Sequence, residues 1–594
     1  MVGLGVADPG VAGVGVPGAG LPGAGVAGVG VNPPTTPSEL GLIDIVVGSG
    51  ASDPQNFTNV NGTIFFTAND ATNGRELWKT DGTTGGTALV KNISPGVANS
   101  NPTGLTNVNG TLFFAASDGI SGTELFKSDG TTGGTVLVKD INSLANSSSP
   151  QSLVNVNGKL FFTATSGLFI GRELFSSDGT TAGTGIVKDI QPGINLSSNP
   201  SQLTNVKGFL LFAANDGTAG TELWRSDGTA AGTFLVKDIN PGAPGSNPTG
   251  LTNAKGVVFF SANDGVNGVE LWKSTGTTAN TVLVQNINPG AASSNPSGIT
   301  NIKGNVFFAA NNGTNGTEIW KSNGNGAASG TFLVKDIRPG VVGSDPTSVS
   351  NLNGLLVFAA DDGTSGIELH RSNGQVAGTV RVKDINPGAG SSNPANFLNL
   401  NSTLFFSATN GTLGVELWKS TAFGPGTLLA ADVNPGPGSS NPAFLASGAT
   451  TLYFAASDGT NGNELWTLSN PLASALTAGA SAALNPPIAS QPLTSPRRVA
   501  FGDLTLSPGT GRGNAFSSPQ ASARGDNILS RVAATPTWQA ASTRLRRLNE
   551  EGLLFNPRSG CLSERDAPLA LRTIGELVFY ELEPQKNINH GFHG

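Results

Sequence analysis

The chain has few of the groups on which most protein chemistry depends. Its 594 residues include one cysteine, three histidines and two tyrosines. The lone Cys561 excludes an intrachain disulfide and any CxxC site, although this does not fix the compartment, since exported proteins also fold without disulfides. His370, His590 and His593 leave no Ser-His-Asp set within the body of the chain, and no GxSxG, HExxH or P-loop sequence occurs. Charge is scarce too, at 12% Asp, Glu, Lys and Arg, with a net charge of −7. That balance is mild for this length and implies no polyanionic partner, nucleic acid included. No run is long and apolar enough to span a bilayer. The opening "MVGLGVADPGVAGVGVPGAG" carries no base, the first being Arg75, and is broken by glycine and proline. It therefore fits neither a standard signal peptide nor a membrane helix.

Glycine is abundant instead, with 83 residues, which points to many turns and a β-rich body rather than helical bundles. Composition divides the chain into three. Residues 1–38 are Gly/Val/Pro-rich and read as a flexible leader. Residues 39–470 form a repeat array. Residues 471–594 hold eleven arginines and no visible repeat, and read as a tail that is largely disordered or weakly structured.

The repeat is anchored on Gly-x-Glu-[Leu/Ile]-[Trp/Phe/His]. Its glutamates are Glu76, Glu124, Glu173, Glu222, Glu270, Glu318, Glu368, Glu416 and Glu464, spaced 48 to 50 residues apart. Each unit reads as four short strands joined by Gly/Asp/Thr hairpins. Four antiparallel strands in such a unit are the pattern of a β-propeller blade. The last unit lacks its fourth strand, while Leu42–Val46, ahead of the first unit, is an orphan fourth strand. The expected fold is all-β: a propeller of about nine four-stranded blades, closed by an N-terminal strand. An open superhelix or two smaller rings are the alternatives.

At "ELWRSDGTAAGT" the array resembles the bacterial ELWxxDGT-repeat family. The full motif stands at Glu76–Thr83 and Glu222–Thr229, with near forms at Glu124, Glu173, Glu270, Glu318 and Glu368. The resemblance implies an exported bacterial repeat protein, extracellular or at the cell surface, of undetermined activity. "SDGTAAGT" is also similar to the Asp-box turn of sialidase-like propellers, a structural device there.

A group repeated once per blade spreads round a ring, whereas an active site needs unlike groups that converge. The nine glutamates therefore read as hydrogen-bonded joints. Trp78, Trp224, Trp272, Trp320, Trp418 and Trp466 read as core between blades rather than a carbohydrate platform. The Lys-Asp pairs of "VKDI", such as Lys139-Asp140, are expected to pair across blades or face solvent. No cofactor is expected; the loop from Asp216 to Glu222 offers oxygens to Ca²⁺, but lacks the density of an EF-hand loop and reads better as a turn held by Asx bonding. No catalytic or metal-binding residue is assigned. The most deviant hairpin, "TSGLFIGREL", sets Leu168, Phe169 and Ile170 where other units hold polar turn residues, and these are the candidate ligand contacts. The resulting expectation is a monomeric, non-enzymatic scaffold that binds a protein or glycan through one face. The alternatives are a glycan-active hydrolase or lyase and a calcium-stabilised repeat protein.

Overall fold

A computed structural model describes residues 40–469, apart from 144–145, 168–169 and 327–329. The leader, the tail and the candidates Leu168 and Phe169 lie outside the described residues. Within them the chain forms nine four-stranded antiparallel sheets in a ring, a nine-bladed β-propeller. Blade 1 consists of Gln55–Val60, Thr63–Asp70, Gly74–Thr80 and Ala88–Lys91, and blades 2 to 8 repeat this order. Blade 9 takes its first three strands, Ala443–Ser447, Thr451–Ser457 and Asn463–Ser469, from the end of the array and its fourth, Leu40–Ile43, from the start. The orphan strand pairs antiparallel with the third strand, Leu40 opposite Leu468 and Ile43 opposite Leu465. It begins two residues earlier than its apolar pattern suggests.

The first strand of each blade is innermost and touches the first strands of both neighbours, that of blade 9 meeting that of blade 1. This closes a single ring and removes the open-superhelix and two-ring alternatives. Strand alternation then assigns every connection to a face. The second-to-third hairpins and the links between blades lie on one face, the hairpin face. The first-to-second and third-to-fourth turns lie on the other, the turn face.

The second strands are apolar without alternation because both of their faces are covered. Phe113 packs toward blade 3 and the next residue, Phe114, toward blade 1. Every hydrophobic cluster straddles a junction between blades, and the cluster at the closing junction joins Ile43, Tyr453 and Leu465 to Ile64 and Phe66. Among the described residues no helix is long and apolar enough to cross a membrane.

Candidate functional site

The motif glutamates are fully buried in all nine blades. Glu222 shows how each is used. Its Oε2 accepts the Ile239 N–H at 3.0 Å and the Ser246 hydroxyl at 2.5 Å. Its Oε1 accepts the N–H groups of Asn240 at 3.2 Å and Ser246 at 2.6 Å. One carboxylate thus satisfies the polar groups of the link to the next blade, which would otherwise be buried unpaired. Glu464 does the same across the closure, accepting from Ile45 and from the N–H and hydroxyl of Ser52. Burial pushes these carboxyls above their ordinary range, against the downward pull of the same hydrogen bonds.

Trp224, Trp272, Trp320, Trp418 and Trp466 are core, and Trp78 is half-buried against the cluster at the closing junction. Trp224 is buried with Val156, Leu174 and Phe212 at the junction of blades 3 and 4. His370 takes the same position in blade 7, stacked on Phe358 at 5.7 Å with Nδ1 3.0 Å from the Glu368 carbonyl. Burial holds its pKa down. The lysines of "VKDI" cross to the next blade but do not meet a carboxylate there: Lys139 donates to the Thr184 carbonyl at 2.7 Å and Lys237 to that of Thr281 at 2.9 Å.

Both hairpin aspartates are occupied by their own turns. Asp216 Oδ1 accepts the N–H of Thr218, the Thr218 hydroxyl and the N–H of Ala219, each at 2.8 Å. In the Asp-box-like turn, Asp227 Oδ1 accepts the N–H and hydroxyl of Thr229 at 2.9 and 2.7 Å, while Ser226 and Thr233 share a hydroxyl bond of 2.7 Å. A Cβ at Gly232 would stand 2.1 Å from the Asp227 carboxylate, so this turn requires glycine. The carboxylates of Asp216 and Glu222, paired in sequence, are engaged with different loops. Among the described residues no group of three His, Cys, Asp or Glu side chains is placed to hold a metal ion.

Ile170 opens the third strand of blade 3 opposite Ser166, half-buried. A cleft of about 200 Å³ lies elsewhere, on the turn face between blades 2 and 3, lined by Asn109, Lys127 and Asp178 among others. Lys127 donates there to the Gly179 carbonyl at 2.8 Å, and Asp178 accepts from Thr180 at 2.8 Å.

Two rings of residues on the inner strands were not singled out from sequence. In the first, Asn107, Asn155, Asn205, Asn253, Asn301, Asn351 and Asn399 each donate Nδ2 to the main-chain carbonyl of the preceding asparagine. Asn59 carries the series across the closure by donating to the Ser447 carbonyl at 3.1 Å, while blade 9 itself has serine, not asparagine, at this position. In the second, the inner turns place a left-handed residue at the channel mouth. It is asparagine in blades 1–3 and 7–8 but lysine in blades 4–6: Lys207, Lys255 and Lys303, with φ of 49°, 56° and 54°. The change from "NVNG" to "NVKG", "NAKG" and "NIKG" was visible by stacking the units. A further deviation is Phe444, 47% exposed, at a left-handed bulge (φ 53°) of blade 9.

The fold and these joints define the class, a closed propeller of nine near-identical blades. No protein-family model and no curated protein matches the chain. Among solved structures it is similar to a puromycin hydrolase, at 13% identity and a TM-score of 0.33 over 63% of this chain and 61% of that one. It is similar to a prolyl endopeptidase at 13% identity and a TM-score of 0.37, over 68% and 54%. It is also similar to Saccharomyces cerevisiae Sqt1 at 10% identity and a TM-score of 0.33, over 72% and 100%. The chain spans less than two thirds of the length of these two peptidases, and likenesses this distant carry no argument about activity.

Proposed function

We propose that the chain is a non-enzymatic binding scaffold, exported or held at a cell surface, whose rigid ring presents one face to a protein or glycan. The observation that carries this reading is the fate of the motif. Its glutamates, aromatics and hairpin aspartates, the residues that first suggest chemistry, are spent on joints within and between blades. Recognition then falls to the positions at which blades differ. The ELWxxDGT-like repeats support the exported setting.

The test is a panel of glycans and extracellular proteins offered to the full chain, with binding and product formation followed together. Binding without turnover is expected. Turnover that is lost on changing the carboxylates of one blade, but not those of the others, would replace the scaffold with a glycan-active hydrolase or lyase.

A further inference from the structure

We propose that the turn face binds an acidic glycan, whose carboxylate or sulfate groups sit on Lys207, Lys255 and Lys303. This rests on the scaffold reading and names its face and ligand class.

The first observation is the backbone. Left-handed geometry suits asparagine and glycine, and a lysine held there costs on the order of 1 kcal/mol. Five other blades make the same turn with asparagine, so the fold does not need lysine in blades 4–6. Each lysine lies along the turn of the following blade. A Cβ on Gly256 would meet Lys207 Cε at 2.0 Å, and one on Gly354 would meet Lys303 Cε at 2.2 Å. The three side chains therefore follow one another round an arc of the channel mouth. All three are exposed, and none has a hydrogen bond or ion pair among the described residues.

The second observation is independent, about twenty residues further along each unit. The outer turns on the same face carry Asp81, Asp129, Asp178 and Asp227 in blades 1–4. In blades 5–8 that position is Thr275, Asn323, Asn373 and Thr421. All other aspartates of the described array belong to the hairpin face. From blade 5 to blade 8, the turn face consequently holds bases and no acid. Gain of lysine at the inner turns of blades 4–6 and loss of aspartate at the outer turns of blades 5–8 change the charge in one direction, and the two changes coincide in blades 5 and 6.

A third observation concerns shape. Exposed phenyl rings also line the outer rim of this face: Phe234 at 42% in blade 4 and Phe332 at 41% in blade 6, where blades 1–3 hold Ala88, Val136 and Gly185, and Phe423 at 50% in the outer turn of blade 8. Arg371 lies 4.1 Å from the Phe423 ring centre. Aromatic faces suit the C–H faces of sugars, exposed asparagine amides beside the lysines suit hydroxyls, and separated ammonium groups suit acids spaced by sugar rings. The net charge of −7 is that of the whole chain and gives no sign of this basic sector.

The experiment compares the full chain with two variants, K207N/K255N/K303N and T275D/N323D. Each installs residues that other blades already hold, so both are expected to fold with unchanged or higher melting temperatures. The probes are polygalacturonate, its methyl ester, dextran sulfate, single-stranded DNA and phosphatidylglycerol vesicles. The parent is expected to bind polygalacturonate or dextran sulfate more tightly than the ester, with affinity falling as salt rises. The triple variant should lose at least tenfold, and the aspartate variant should be weakened too. Equal binding by parent and folded triple variant, or equal binding of acid and ester, would overturn the proposal. So would tighter binding of DNA or vesicles than of either acidic glycan. Binding of a neutral glycan or a protein, indifferent to the lysines, would leave the scaffold reading standing and remove only this one. Turnover would remove the scaffold reading itself.

Discussion

Replacing Glu222 by alanine would leave the N–H groups of Ile239, Asn240 and Ser246 and the Ser246 hydroxyl buried without an acceptor. Each orphaned donor costs about 1–3 kcal/mol, so a loss of at least about 3 kcal/mol is expected. Glu124→Ala, in an equivalent setting, should lower the melting temperature to a similar degree, while ligand binding by either folded variant is retained. A much larger effect on binding at one blade than at another would make that glutamate functional. The carboxyls also set a pH dependence. The nine glutamates, raised above their ordinary 4.5 by burial, favour the fold most below that value and lose this contribution as pH rises through their folded pKa. The hairpin aspartates run the other way. Partial burial opposes the shift, but turn N–H and hydroxyl donors hold Asp362 and Asp458 down at about 2. Their contribution is present above their ordinary 3.8 and disappears as pH falls toward 2. Melting temperature measured from pH 2 to 8 should therefore peak at about pH 4–5. A steady rise to pH 8 would contradict this. The structural use of the glutamates was legible because repetition at one spacing argues against a single site. The lysines stood out only when the units were stacked, and their gathering on one face was not legible, because a net charge of −7 gives no sign of where charges gather.

At the scale of strands and turns, the asparagine ring couples the inner strands side by side. Asn253 donates to the Asn205 carbonyl at 2.9 Å and accepts the Gly256 N–H at 2.8 Å. Asn253→Ala should cost about 1–2 kcal/mol in urea unfolding by losing both bonds, and an unchanged midpoint would mean that the ring contributes nothing. The hairpin aspartates lead to another expectation. With Asp216 Oδ1 committed to three donors in its own turn, added calcium or EDTA should not move the melting temperature. A rise of several degrees with calcium would instead establish a cation site. Strands, hairpins and blade count were readable because each unit repeats its turn chemistry. The coupling between inner strands was not, since "TNVNG" reads only as a strand end and turn. Its asparagine bonds across a junction that no single unit contains.

For the whole ring, closure rests on Leu40–Ile43 pairing with Asn463–Ser469 and on Glu464 gathering Ile45 and Ser52. Deleting residues 1–46 should expose the edge of the last blade and cause self-association, seen by light scattering. A monodisperse truncated chain with the parent melting temperature would show that closure is dispensable. Ring closure was legible as a spare strand at one end matching a missing one at the other. The opposed charges of the two faces became visible only when strand alternation assigned every turn to a side. The closing strand also has a consequence in time. It emerges from the ribosome before the other strands of the ring, and Leu468, the partner of Leu40, follows 428 residues later. Blades 1 to 8 can form in order as they emerge, each from contacts local in sequence, but the final pairing has the longest loop to close. Synthesis thus passes through an open crescent with two unpaired ends, and that crescent is the species a chaperone or a neighbouring nascent chain would meet.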